Sequence, residues 1–171
     1  MIKITADSTC DLSKEILDDM DITLTPLVVM IGDKVYHDGV DIAPADIFRY
    51  VERDKETCKT AAINTYEYEH FFEVMSPKHE AIIHICIGSV FSSCYQNAFL
   101  AAQGFENVYV VDSQNLSSGS GHIVYEAAKM AMTNASVNDI LFYLKEIIPK
   151  VDSSFIVDRL DYLYQGGRCS G

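Results

Sequence analysis

The sequence has no tryptophan, only four prolines and few positive charges. Its 13 lysines and arginines stand against 25 aspartates and glutamates, which gives a formal net charge of −12 at pH 7. A surface that binds nucleic acid or an anionic membrane needs a basic stripe, so the composition argues against both partners. It does not argue against a buried anion site, because the local field within a site is separate from the global charge.

Motifs with the spacing of a metal site or of a disulfide framework are also missing. The five cysteines are scattered, and neither CxxC nor HExxH occurs. We therefore expect no metal site, no cofactor and reduced thiols in a cytoplasmic protein. The N-terminus, MIKITADSTC, lacks a long apolar segment, so it predicts no signal peptide. The apolar runs are too short to span a membrane.

The sequence does have a globular composition, 49% hydrophobic and 22% charged over 171 residues. Segments with strand patterns alternate with segments of helical periodicity, which predicts an α/β fold: a three-layer sandwich with a mostly parallel sheet. We expect one domain over 1–150 and the first elements of a second α/β domain, cut short, over 151–171. The predicted strands are 2–6, 22–31, 35–37, 81–87, 107–111 and 155–157. The predicted helices are 12–20, 45–53, 66–75, 93–103, 122–132, 137–148 and 160–164.

The stretch 81–102 is the main candidate for a binding site, because it combines a buried strand, a polar loop and a helix. Ser92 and Ser93 stand where the helix begins, and Ser93 has capping-box spacing to Gln96. Open α/β sheets bind ligands outside the carboxyl ends of their strands, where a helix N-terminus offers N–H groups to an anion. The two serines therefore either cap the helix or bind an anion.

Polar pairs follow two other predicted strands. Asp7 and Ser8 come after the first strand, and Asp112 and Ser113 come after the strand at 107–111. In a parallel sheet these turns lie at the same edge as Ser92. The two aspartates could pair as acid and base or hold a metal, but we favour carboxylates that accept hydrogen bonds from loop N–H groups and shape a binding edge.

Two other hypotheses about the function remain open. A serine-dependent esterase or hydrolase would use Ser92 or Ser113 as nucleophile with His84 or His122 as base, although no GxSxG elbow is present. A nucleotide-binding protein would use the Ser/Gly run 117–121 as a phosphate cradle. That run lacks both GxGxxG and the P-loop lysine, and a flexible connection explains it more simply.

Five motifs resemble those of the DegV family in order and spacing, from residue 4 to residue 170. They are ITADSTCDL from Ile4, KT at Lys59 with TYEY from Thr65, SVFSSCYQNA from Ser89, VDS from Val111 with SGSG from Ser118, and Leu163 with GGRCS from Gly166. The resemblance implies a carrier without chemistry of its own that binds a long-chain fatty acid such as palmitate, stearate or oleate. It would present the carboxylate to a bacterial fatty-acid kinase, which makes an acyl phosphate for phospholipid synthesis.

The resemblance also implies roles for single residues. Thr60 and Ser92 match the family's carboxylate ligands, Ser93 lies beside them, and Arg168 is a candidate for the kinase-facing surface. Ser93 and Cys94 replace the glycine and threonine of the family motif. Family proteins continue into a second domain that helps to enclose the acyl chain. We therefore expect either a truncated product or a protein that closes an apolar groove by dimerising, and a transient contact with a membrane is left open.

Overall fold

The structure, a computed structural model, describes residues 1–54, 58–158, 160, 163 and 164. The chain divides into two compact units, Met1–Thr25 with Ala62–Ser153 and Pro26–Ala61 with Ser154–Gly171. The described elements, in chain order, are β1 (Ile2–Asp7), α1 (Lys14–Asp19), β2 (Thr23–Thr25), β3 (Val28–Ile31), β4 (Lys34–His37), α2 (Pro44–Arg49), β5 (Cys58–Ala61), α3 (Thr65–Met75), β6 (Ala81–Cys86), α4 (Cys94–Ala102), β7 (Val108–Asp112), α5 (Ser117–Met132) and α6 (Val137–Ile147).

The first unit is built on a four-stranded sheet in the order β2-β1-β6-β7, in which every neighbouring pair is parallel. Successive side chains of a strand point to opposite faces of a sheet. One face of β1 and β6 packs on α5 and α6 in the main apolar core, through Ile4, Ala6, Ile83 and Ile85. The other face carries His84, whose ring contacts Tyr68 and Phe72 of α3. The predicted α/β class with a parallel sheet is confirmed.

The second unit contains a three-stranded antiparallel sheet in the order β4-β3-β5. The predicted strand at 35–37 is the arm β4 of a hairpin with β3 around Gly32, which has the positive φ of 57° that a tight turn requires. Its small core consists of Val29, Ile31 and Ile42. The domain boundary predicted at residue 150 stays a prediction, and the sequence did not indicate that residues 26–61 group apart from the parallel sheet.

Backbone chemistry explains where strands differ from their prediction. The single strand expected over 22–31 is two strands, β2 and β3, because Pro26 between them has no N–H to donate to a sheet. Residues 58–61 lie outside every predicted strand and helix but form β5, which gains its strand conformation from antiparallel pairing with β3. Residues 155–157 form no strand.

Two helices begin at other residues than expected. Helix α3 begins at Thr65 and is capped by Asn64: its side chain accepts from the Glu67 N–H, and the Glu67 carboxylate accepts from the Asn64 N–H. Helix α5 begins at Ser117, so the Ser/Gly run expected to be a loop forms its first turns. The predicted helix over 45–53 is α2 followed by a π-helical turn over Tyr50–Asp54.

Glycine in α5 allows a close approach of two backbones. A Cβ on Gly121 would overlap the Cys10 carbonyl oxygen, in the turn that follows β1. A Cβ on Gly119 would lie 2.5 Å from Asn115 Oδ1 and 2.5 Å from Ser153 Oγ. Close packing therefore explains the glycines of the Ser/Gly run without any role in phosphate binding.

We predict that Gly121→Ala lowers the free energy of unfolding by about 1–3 kcal/mol, because the added methyl group meets backbone that cannot move aside. Urea denaturation would measure the change. Gly104→Ala is the matched control, because its Cβ would meet nothing nearer than the Ala101 carbonyl at 3.8 Å. Equal losses in the two variants would contradict the packing role of Gly121.

Candidate functional site

The carboxylate of Asp7 lies buried at the carboxyl end of β1, with 1% of the residue exposed. Its Oδ1 accepts hydrogen bonds from the Tyr68 hydroxyl at 2.6 Å and the Thr25 hydroxyl at 3.1 Å. Its Oδ2 accepts from the Ile87 N–H at 2.9 Å. These three charge-assisted bonds replace the water that a buried carboxylate loses. Asp7 thereby connects β1 with β2, α3 and the turn after β6.

Tyr68 stays a hydrogen-bond donor because of where it lies. Burial, followed by the negative charge of Asp7, raises the pKa of Tyr68 well above its usual range. The phenol therefore remains protonated and keeps its proton directed at Asp7. The capping box of Asn64 and Glu67 fixes the start of α3, one turn before Tyr68.

Asp112 plays a similar part at the end of β7. Its Oδ1 accepts from the Ser89 N–H at 3.0 Å and from the Gln114 N–H at 2.9 Å. The adjacent Ser113 is buried, and its hydroxyl donates to the Asn115 carbonyl at 2.9 Å. The loop after β7 is thus closed by its own side chains.

The turn between β6 and α4 is therefore held from both neighbouring strands. Asp7 binds the Ile87 N–H on one side, and Asp112 binds the Ser89 N–H on the other. Between them the Gly88 N–H donates to the Asn115 carbonyl at 2.8 Å, and a Cβ on Gly88 would lie 2.9 Å from the backbone of Gln114. Both aspartates thus accept from loop N–H groups, as the sequence predicts for residues that shape this edge.

Ser92 and Ser93 divide their roles differently from the prediction. The Ser92 hydroxyl accepts from the Cys94 N–H at 3.3 Å and donates to the Cys94 thiol sulfur at 3.2 Å. Ser93 is the N-cap residue of α4, but its side chain makes no capping hydrogen bond. The predicted capping box with Gln96 is therefore wrong. At φ −80° and ψ 4°, Ser93 lacks the extended backbone of a capping serine.

The remaining predicted site residues lie elsewhere. Ser8 begins a short 3-10 turn directly after β1 and is half-buried. Thr60 lies on β5 in the second unit, where it pairs with Val29, whereas Ser92 belongs to the first unit. Arg168 lies outside the described residues. The binding roles of Thr60, Ser92, Ser93 and Arg168 stay predictions.

The structure does not support Ser92 or Ser113 as the nucleophile of a hydrolase. Within the described part of the chain, neither Ser92 nor Ser113 has a histidine among its hydrogen-bond partners. His84 is fully buried, and its Nδ1 lies 2.9 Å from the Thr5 hydroxyl. Burial, followed by the charge of Asp7, raises the pKa of Cys94, so that thiol stays protonated. A hydrolase needs nucleophile and base within reach, and these residues do not supply the pair.

Two clefts in the first unit lie away from Ser92. One of about 360 Å³ lies at the C-terminal end of α4 and is lined by Phe99, Ala102, Gln103, Phe105, Val108, Tyr109, Val110 and Leu141. The other, of about 350 Å³, lies beside the first turns of α5 and is lined by Ser118, Gly119, His122, Lys150, Val151, Asp152 and Ser153. Neither holds a residue that the sequence predicts as a carboxylate ligand.

The structure also brings together a group that the sequence analysis missed. Asp7, His84 and Cys86 are all buried, and one ligand atom from each lies within 4.8 Å of the other two. The parallel register of β1 and β6 sets Thr5 opposite His84, which puts Asp7 beside Cys86. The signal in the sequence was His84-x-Cys86 within one strand, since alternate residues share a face.

Comparisons with known proteins agree with this fold. A model of the family described as "Uncharacterised protein, DegV family" matches residues 1–171. The chain belongs to the DegV family. A DegV domain-containing protein of Caldanaerobacter subterraneus subsp. tengcongensis is 33% identical over 171 residues, which is 99% of this chain and 61% of that protein. The chain therefore spans about three fifths of the length of that relative.

Solved structures of fatty-acid-binding proteins resemble this chain. A stearic acid-binding protein from Eubacterium ventriosum is 29% identical with a TM-score of 0.77, over 85% of this chain and 52% of that one. A fatty-acid-binding DegV family protein from Thermus thermophilus is 27% identical with a TM-score of 0.86, over 98% of this chain and 60% of that one. Among the residues described for our chain, no helix has the length and apolar character needed to cross a membrane.

We predict that Asp7→Asn lowers the free energy of unfolding by about 1–3 kcal/mol, because both carboxylate oxygens accept hydrogen bonds and the amide NH₂ cannot. Asp112→Asn is the matched control. Its single accepting oxygen, Oδ1, has an equivalent in asparagine, so we expect a loss below about 1 kcal/mol. Urea denaturation of both variants would compare them. An Asp112→Asn variant less stable than Asp7→Asn would contradict this assignment.

Proposed function

We propose that the protein binds a long-chain fatty acid and acts as a carrier rather than an enzyme. The support is its membership of the DegV family together with the fatty-acid ligands named for the Eubacterium ventriosum and Thermus thermophilus relatives. The observation that carries the proposal is the state of the Ser92 hydroxyl. It accepts a hydrogen bond from the Cys94 N–H, and among the described residues it donates its own hydrogen bond to a thiol sulfur.

A fatty-acid carboxylate is a better acceptor for that proton than the thiol. Sulfur accepts hydrogen bonds weakly, whereas a bond to an ionised carboxylate contributes about 1.5–3 kcal/mol. Ser92 can therefore turn its proton from Cys94 towards a bound carboxylate while it still accepts from the Cys94 N–H. The first turn of α4 adds N–H groups and the positive end of the helix dipole. In this proposal Ser92 is the main ligand, Ser93 lies beside it, and Thr60 is a second hydroxyl donor.

Burial of the acyl chain would provide most of the affinity. Each buried CH₂ contributes about 0.8 kcal/mol, so a chain of palmitate length outweighs a single hydrogen bond. The polar contacts would instead fix which end of the ligand lies at the carboxyl edge of the sheet. This arrangement suits a carrier that offers a carboxylate to another protein.

The partner in this proposal is a fatty-acid kinase that phosphorylates the presented carboxylate. Its acyl phosphate product would feed phospholipid synthesis in the bacterial cytoplasm. Arg168 is the proposed kinase contact. If so, Arg168→Ala lowers the rate of ATP-dependent acyl phosphate formation and leaves the dissociation constant for the fatty acid unchanged. A weaker fatty-acid affinity in that variant would move Arg168 from the kinase contact to the lipid site.

We predict that the chain purified from bacteria carries acyl chains, which mass spectrometry of a denatured sample would identify. Delipidated protein should gain thermal stability on addition of palmitate or oleate, since a ligand that binds only the folded state stabilises it. If neither bound lipid nor a thermal shift is found, the chain does not act as a carrier. Hydrolysis of an ester substrate that is abolished by Ser92→Ala would favour the esterase instead.

A second ligand separates the carboxylate contact from the acyl chain. We predict that Ser92→Ala weakens oleate binding by about 10-fold or more, the equivalent of one charge-assisted hydrogen bond. The same substitution should leave the affinity for methyl oleate unchanged, because that ester has no carboxylate. Ser118→Ala, at an exposed serine of α5, is the matched control. An equal loss for oleate and methyl oleate would assign Ser92 to packing rather than to the carboxylate.

A further inference from the structure

The buried group of Asp7, His84 and Cys86 has the composition of a metal site. It offers one carboxylate oxygen, one imidazole nitrogen and one sulfur, and all three residues are at most 1% exposed. Carboxylate, imidazole and thiolate together form the ligand set of zinc and its borderline-soft neighbours, whereas magnesium and calcium prefer oxygen alone.

His84 has an unused nitrogen in this group. Its Nδ1 lies 2.9 Å from the Thr5 hydroxyl, which fixes the orientation of the ring. Its Nε2 is buried and has no hydrogen-bond partner among the described residues. A buried polar atom left in this state costs about 1–3 kcal/mol, which a bound cation would remove. A ring held at one nitrogen and free at the other is the usual arrangement of a metal-ligating histidine.

Distances in the group fit a tetrahedral ion. His84 Nε2 lies 3.4 Å from Asp7 Oδ1. Two ligands bonded to zinc at about 2.0–2.2 Å and at a tetrahedral angle lie about 3.3–3.5 Å apart. The sulfur of Cys86 lies within 4.8 Å of the other two ligand atoms. A rotation of its side chain would bring the sulfur to the shorter spacing found between ligands of one bound ion.

Charge favours a cation at the same point. Asp7 is buried, and within the described part of the chain it forms no ion pair with a lysine or arginine. Asp7 Oδ1 already accepts from Tyr68 and Thr25, so an ion bound at Oδ1 takes the place of the longer of these bonds, the one from Thr25. The Thr25 hydroxyl keeps the Ala6 carbonyl, 3.3 Å away, as an acceptor. When a divalent ion binds, the Cys86 thiol loses its proton to solvent as the sulfur–metal bond forms.

We propose that Asp7, His84 and Cys86 form a binding site for a divalent transition metal of the zinc class. Thr5 is its positioning residue, because it holds the imidazole through Nδ1. The site lies at the carboxyl ends of β1 and β6, in the first unit alone. It does not depend on the proposed fatty-acid function.

Cobalt replaces zinc in such sites and reports its ligands by absorption. The untagged full chain, stripped with chelator under reducing conditions, should bind one Co²⁺ with the intense bands of a tetrahedral ion and a thiolate-to-cobalt charge-transfer band. Zn²⁺ should displace the Co²⁺ and abolish both signals, whereas Mg²⁺ should not. Absence of the charge-transfer band in the wild-type chain would overturn the proposal without any variant.

Variants then assign the ligands. Cys86→Ser should abolish the charge-transfer band and His84→Gln the stoichiometric binding, whereas Cys10→Ser, at another buried thiol outside the group, should keep both. Thr5→Val should weaken Zn²⁺ binding by about 10–100-fold, the usual effect of losing a group that orients a ligand. A charge-transfer band retained in Cys86→Ser would overturn the assignment. Circular dichroism would check the fold of each variant. If a variant does not fold, the cobalt spectrum of the wild-type chain still tests the proposal.

Discussion

The first unit depends on a buried negative charge. Asp7 is the last residue of β1, and its carboxylate accepts hydrogen bonds from β2, from α3 and from the turn after β6. A carboxylate moved out of water is unfavourable unless hydrogen bonds or charges compensate it. Each of the three donors therefore stabilises the buried carboxylate, and the carboxylate in turn fixes the relative positions of the elements that carry them. Asp112 repeats the arrangement on the other side of the same turn with weaker constraints, because it is only half-buried.

Much of this fold could be predicted from local patterns. The buried strand at 81–87 and the polar pairs after the strands were visible as apolar runs that end in aspartate and serine, and a parallel sheet then brings those ends to one edge. The expectation that Asp7 and Asp112 accept hydrogen bonds from loop N–H groups followed from their residue type. These features depend on neighbours in the sequence or on the general rule that connects strands in an α/β fold.

What could not be predicted depends on partners distant in the sequence. The strand Cys58–Ala61 has polar neighbours and no strand pattern, and only its pairing with Val28–Ile31 makes it a strand. His84 and Cys86 follow Asp7 by more than seventy positions in the sequence. Only the register between β1 and β6 brings them close to Asp7. The capping box expected at Ser93 does not form, because the backbone angles at Ser93 differ from those of a capping serine, and residue identity alone does not determine such angles.

The doubly anchored turn between β6 and α4 has a consequence for the thermodynamics of recognition. A flexible loop loses conformational entropy when it closes on a ligand, and this loss reduces the affinity. Here the backbone N–H groups of Ile87, Gly88 and Ser89 are already bonded to the protein. A ligand that binds at this turn would meet a preorganised surface, so its association would resemble the docking of two rigid bodies and would require little ordering of the chain.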